Sequence, residues 1–163
     1  MIQAYLVDVA FVAFLVGATR FSGALGQLMG GSLSDAFGRF KVLMVAVLAM
    51  AVSTAGVAFA PYGPAMVASM VIQATATQAF YPIMFAIISD HTPPAARAKT
   101  FGMVNAANGL IGGSLAPIAI GYLADKFDFK IAFLYPVILG FLSCFLTLCL
   151  SRQLPQVVVE VIR

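Results

Sequence analysis

The sequence predicts an all-α membrane protein of five spanning helices, and three observations carry that prediction. Of the 163 residues, 62% are hydrophobic and 9% charged, with a mean hydropathy of +1.02; an ordinary soluble domain carries about 25% charged residues. Five windows, at about 9–33, 41–60, 64–89, 99–124 and 130–150, are long enough to cross a bilayer, whose core of about 30 Å takes about 20 apolar residues. Basic residues collect at alternate ends of these windows, as expected where cytoplasmic loops hold the excess of Lys and Arg.

The first window, 9–33, is apolar apart from Arg20 and Gln27, and it carries Gly26 and Gly30 at the spacing that lets two helices approach closely. Window 41–60 holds no charge beyond Lys41 and stops at the uncharged turn Pro61, Tyr62, Gly63, Pro64. Pro64 suits the first turn of the third window, 64–89, where its missing N–H is not needed. Pro82 inside that window should kink it. Pro93 and Pro94 separate the third window from the fourth, 99–124, which carries a second close-approach pair, Gly109 and Gly113, and then Pro117. The fifth, 130–150, is followed by a tail, 151–163, expected to be cytoplasmic.

Orientation follows from the charges. Arg39 and Lys41, Arg97 and Lys99, and Arg152 and Arg163 mark three cytoplasmic segments, six basic residues against Lys126 and Lys130 on the other side. The N-terminus of this stretch is then outside and its C-terminus inside. Met1 has no basic flank, so no signal peptide is read there. The net charge of +3 is explained by this topology and gives no reason to expect nucleic acid as a partner. Cys144 and Cys149 both fall in the fifth window and read as buried thiols. No P-loop lysine, metal-ligand spacing or Ser, His and carboxylate set at one depth is present, so neither nucleotide hydrolysis, an enzyme reaction, a cofactor nor a metal site is expected. His91, beside Asp90, reads as a solvated loop histidine.

The most specific segment is Gly31-Ser-Leu-Ser-Asp35-Ala-Phe-Gly38-Arg39-Phe-Lys41, between two apolar runs. It resembles the loop between the second and third helices of each six-helix half in the major facilitator superfamily of secondary transporters, which reads roughly G-x-L-[AS]-D-x-x-G-R-x-[KR]. Gly31, Leu33, Ser34, Asp35, Gly38, Arg39 and Lys41 all match. The resemblance implies that Asp35 latches onto a helix of the opposite half, that Arg39 pairs with Asp90, and that this latch holds one of two access states. Lys41 also reads as a plain positive-inside anchor. Gly31-Ser-Leu-Ser-Asp35-Ala-Phe37 recurs as Gly121-Tyr-Leu-Ala-Asp125-Lys-Phe127, with one copy inside and one outside. Inverted three-helix repeats, as in this superfamily, would produce that pattern. The chain then reads as a half-bundle whose first repeat lacks its first helix. Residues 70–74, Met-Val-Ile-Gln-Ala, lack the arginine usual in the fourth helix of N-terminal halves, so the expected assignment is most of a C-terminal half. Gly109 to Gly121 resembles the glycine and proline pattern of the fifth helix in antiporters, with Ala116 where those have glycine.

Arg20 lies eleven residues past Val9 and fifteen before Asp35, roughly 16 Å from the outer boundary, too deep for easy snorkelling. Three readings stand open: a contact for an anionic group of the substrate, a counter-charge to a carboxylate elsewhere, or an interface residue on a tilted helix. Gln27, seven residues on, is nearly on the same helical face. In relatives that carry monocarboxylates or nitrate the arginine stands about eight residues before the loop aspartate; Gln27 holds that place here, so those substrates are not carried over. Gln73, Thr77 and Tyr81 recur at i, i+4 and i+8, and Asn105 and Asn108 share a face of the fourth helix. All five read either as a substrate cavity or as interhelical hydrogen bonds worth about 1 kcal/mol each.

The sequence therefore predicts a plasma-membrane secondary transporter, symporter or antiporter, moving a small solute by alternating access. The partners are the bilayer, the solute, a coupling proton or sodium ion, and the remaining half in the same or another chain. An organic anion is the leading solute because of Arg20. A drug efflux carrier and a non-transporting membrane module or inactive fragment are the alternatives. No Asp or Glu lies deep in any window, so a proton-coupling carboxylate would have to come from elsewhere in the assembly.

Overall fold

The computed structural model describes residues 9–61 and 63–161, and side chains as far as Arg152. The segment from Met1 to Asp8, expected outside, and also Tyr62 and Arg163 lie outside the described residues. Nearly all the rest is helical: α1 (Val9–Phe37), α2 (Arg39–Phe59), α3 (Pro64–His91), α4 (Pro94–Ala107), a π-helical segment (Asn108–Leu115), α5 (Ala116–Lys126) and α6 (Phe129–Val161). The π-helical segment joins α4 and α5 into one spanning helix, Pro94–Lys126. Five helices are thus long and apolar enough to cross a membrane: this is an all-α, multi-pass membrane protein.

The charged segment is almost wholly helical, where a loop between 33 and 41 was expected. α1 runs on through Phe37 and α2 starts at Arg39, so the turn is the single residue Gly38 at φ 97° and ψ 135°. That φ belongs to glycine, because a Cβ would crowd the carbonyl. The Gly38 amide donates to the Ser34 carbonyl at 3.1 Å, while its own carbonyl accepts from the Val42 amide at 3.2 Å. The chain therefore reverses with few backbone groups unsatisfied, as an apolar surrounding requires. At the opposite end Gly63, φ 146°, makes the turn into α3, with Pro64 in the first helical turn.

α2 is the hub, packing on both α3 and α6; α1 packs mainly on α3, and α5 on α6. Leu43, Ala46 and Val47 of α2 form the buried core with Ile83 of α3, flanked by Phe40, Phe80, Ile87 and Cys144. Cys144 and Cys149 are free thiols, and Cys144 Sγ lies 3.9 Å from Met44 Sδ. Apolar burial cannot drive helix association in lipid, so close packing must, and glycines supply it at three seams. A Cβ built on Gly26 would fall 2.2 Å from the Thr75 carbonyl oxygen, and one on Gly30 would fall 2.6 Å from that of Ala79. Partners 26 with 75 and 30 with 79 advance together, so α1 and α3 run parallel. Gly56 meets Ser69 at the α2–α3 seam, and Gly140 meets Ala51 at the α2–α6 seam.

The fourth spanning helix is different. Its apolar stretch buries nothing inside the chain; Met103, Leu110, Ile111, Leu115 and Ile118 are all exposed. Gly109 has open space around it and Gly113 only the carbonyl of Asn108 in its own helix. The widened turn stands directly before Pro117, whose ring would press on the Gly113 carbonyl in a regular α-helix. The Ser114 hydroxyl donates to the Gly109 carbonyl five residues back at 3.2 Å, in step with that wider turn.

Gly26→Ala should force α1 and α3 apart. We expect a loss of about 1–3 kcal/mol of stability, the usual cost of overpacking, read as a lower thermal unfolding temperature of the detergent-solubilised chain by circular dichroism. Gly109→Ala, at the same nominal spacing but with open space, should leave the unfolding temperature unchanged or slightly raised.

Candidate functional site

Two constellations lie on the α1–α3 pair, one at its charged end and one along its length. At the charged end Arg39, the first residue of α2, bridges two helices. Its Nε donates to Asp90 Oδ2 of α3 at 3.0 Å, and its Nη1 donates to Asp35 Oδ1 of α1 and to Ser34 Oγ at 3.2 Å. Ser34 is almost fully buried and its hydroxyl passes its own proton to the Gly31 carbonyl at 2.8 Å. Gly31 itself lies under the ring of Pro82, 3.8 Å from where a Cβ would stand. Lys41 is exposed and makes no ion pair.

Each charge in this cluster occupies the unfavourable end of its own helix. Asp35 and Asp90 stand at C-termini, where the macrodipole is negative, and Arg39 at an N-terminus, where it is positive. The cluster neutralises these mismatches mutually. The side chains of Asp35 and Asp90 are well exposed and Arg39 is about a third exposed, and an ion pair so placed contributes about 0–1 kcal/mol. The geometry fixes the relation between α1, α2 and α3; the core around Ile83 holds them together.

Along the pair, beside the glycine seam, α1 and α3 leave a groove of about 610 Å³, in the usual size range of small-molecule sites. α1 contributes Thr19 and Arg20, and α3 contributes Gln73, Thr77, Gln78 and Tyr81. Of the residues expected in a cavity, Arg20, Gln73, Thr77 and Tyr81 therefore come together here. Asn108 reaches the same place from the fourth helix, its Nδ2 lying 3.4 Å from the Tyr81 hydroxyl. Asn105 is exposed with no side-chain partner, and Gln27 is exposed and off the groove. Arg20 makes no hydrogen bond or ion pair among the described residues. Arg20 is thus a free cation facing a polar groove at membrane depth.

Gln78 and Thr19 are lining residues that sequence reasoning did not single out. Gln78 also packs over Gly23, whose Cβ would fall 2.8 Å from its Cγ. Its signal was present in the heptad-like stripe 70, 73, 74, 77, 78, 81, one position broader than the i, i+4, i+8 series. Among the described residues no cluster of three or more His, Cys, Asp or Glu side chains could hold a metal ion.

The chain is 28% identical over 148 residues to the multi-drug resistance efflux pump PmrA of Streptococcus pneumoniae, covering 90% of this chain and 36% of that protein. It is 26% identical over 149 residues to the hexuronate transporter of Bacillus subtilis, covering 90% and 33%. It is 26% identical over 133 residues to the niacin transporter NiaP of Acinetobacter baylyi, covering 82% and 29%. The chain thus spans about a third of the length of these curated relatives. No solved structure matches it significantly. The sequence model of the Major Facilitator Superfamily matches residues 1–160, nearly the whole chain, and with its five apolar helices the chain belongs to that superfamily of membrane transporters.

Proposed function

We propose that this chain forms most of one six-helix half of a secondary transporter, and that it moves a small organic anion by alternating access together with a second half in the same or another chain. The observation that carries the proposal is the unpaired Arg20 in the groove with Gln73, Thr77, Gln78 and Tyr81. An arginine at a helix centre costs about 2.5–3.5 kcal/mol on insertion scales. A bound anion offsets that cost, whereas a bound cation adds repulsion to it. The relatives named for hexuronate and niacin support an acidic solute.

In this reading the Asp35, Arg39 and Asp90 cluster is the cytoplasmic latch of one access state, and Lys41 and Arg97 lie on the same side. Asp35, the most exposed of the three, has acceptor capacity left over for a helix N-terminus of the second half. The transporter sits in the plasma membrane with the charged corner inside. Coupling to a proton or sodium ion would use groups outside this chain's described helices, whose carboxylates all stand at helix ends.

A second reading, efflux of apolar drugs, is favoured by one observation: an all-apolar pocket of about 640 Å³ adjoins the groove. The relative named as a multi-drug resistance efflux pump agrees with it. Arg20→Gln in membrane vesicles carrying the whole transporter separates the two. Anion transport is expected to fall at least ~10-fold, the loss of roughly one charge-assisted contact, while flux of a lipophilic cation is unchanged or rises. Equal anion flux in wild type and Arg20→Gln would reject the anion reading.

The latch has its own test. Arg39→Gln is expected to shift the unfolding temperature little, since exposed pairs contribute about 0–1 kcal/mol. Transport should nevertheless drop by up to ~5-fold, because removing about 1 kcal/mol from one access state moves a two-state balance about fivefold. A large fall in unfolding temperature with normal residual transport would make the cluster a structural clamp instead.

A further inference from the structure

The polar groove and the apolar pocket beside it share three lining residues, Val12 and Leu15 of α1 and Met70 of α3. They are consecutive sections of one cleft between parallel helices. The section toward the start of α3 is lined without a single polar side chain, by Phe11, Pro64, Met66 and Val67 beyond the shared three. In the other section the polar lining of α3 begins at Gln73, one turn after Met70, and continues through Thr77, Gln78 and Tyr81. Arg20 stands on α1 five residues after Leu15, so the charge lies just past the junction. The order along the cleft is apolar, cationic, then uncharged polar.

Resting on the anion reading above, we propose that the cleft selects amphiphilic monoanions: a single carboxylate at Arg20, hydrogen-bonded by Gln73 and Thr77, with a flat aromatic or branched aliphatic body in the Phe11–Met66 section. Charge complementarity fixes the head, because among the described residues the only cation lining either section is Arg20. The apolar section fixes the body, because a polyhydroxylated body would leave its hydroxyls without partners there. Met70 becomes the specificity-determining residue at the junction. Its flexible, polarizable side chain suits aromatic bodies of differing width.

The test is equilibrium binding of radiolabelled naphthoate to the purified chain in phosphatidylcholine nanodiscs, with gluconate and naphthamide as competitors. Naphthoate is expected to bind at least ~30-fold more tightly than gluconate and ~10-fold more tightly than naphthamide, by the apolar area and the charge respectively. Arg20→Gln should erase the preference over naphthamide without changing naphthamide binding, and Arg20→Lys should restore most of it. Met70→Asn should weaken naphthoate and leave gluconate unchanged. Circular dichroism confirms that each variant folds. If gluconate binds as well as naphthoate and Met70→Asn is silent, the two-section inference fails while the anion reading stands. If naphthamide equals naphthoate and Arg20→Gln is silent, the anion reading itself fails. Displacement of naphthoate by phosphatidylglycerol in the nanodisc, or no binding of any probe, would also overturn the inference, the former by showing a lipid site.

Discussion

The contact of α1 with α3 through Gly26 and Gly30 is the constraint on which the rest of the structure depends. Backbone carbonyls of Thr75 and Ala79 lie where side chains at those positions would have to be. In lipid no water-driven term pulls helices together, so such contact is gained only where small residues let backbones approach. Once the parallel pair is seated at this seam, both functional features follow. Toward the C-terminal ends the pair carries Asp35 and Asp90 to within reach of one guanidinium. Toward the N-terminal ends the larger side chains from Phe11 to Arg20 hold a cleft open.

In the proposed reading, stability and switching fall to different residues. Ile83, Val47 and Leu43 are buried, apolar and far less sensitive to a change of access state than an exposed ion pair. The charged corner is the reverse: three charges on the disfavoured ends of their helices, each such placement costing about 0.3–1 kcal/mol at a helix terminus and offset only while the cluster is intact. A device of that kind is close to balance. It suits a joint that must form and break during a cycle, and it would be a poor choice for holding a fold.

Much of this was legible in the sequence, for physical reasons. Hydropathy reports burial in lipid directly, so five spans and their approximate limits followed from window length alone. The charged turn stood out because five polar or charged positions, Ser32, Ser34, Asp35, Arg39 and Lys41, interrupt two apolar runs. Spacing was less informative. Gly26 with Gly30 and Gly109 with Gly113 have the same spacing, yet one pair closes a seam and the other faces open space, because spacing defines a helix face and not its neighbour. Gln27 shares the azimuth of Arg20, yet it stands beside Gly26 at the seam and does not line the cleft, whose α1 side stops at Arg20. The helical continuity from Ser34 to Phe37 was hidden because polarity imitates a loop when a helix end emerges from the membrane. The widened turn at Asn108–Leu115 was marked in the sequence only by Pro117, and a proline by itself does not say whether a helix kinks or widens.

That widened turn bears on which way the fourth helix faces. A π-helical stretch shifts carbonyls from i, i+4 to i, i+5 pairing, and such an adjustment re-satisfies backbone groups that a proline frees inside a spanning helix. Gly109, Gly112 and Gly113 place little side-chain bulk over those carbonyls, and Ser114 covers the one at Gly109. The polar residue that opens the segment, Asn108, points at Tyr81 and so at the cleft of α1 and α3. Asn108 thus ties the fourth helix to the side of the chain that holds Arg20, while Leu110 and Ile118 remain exposed.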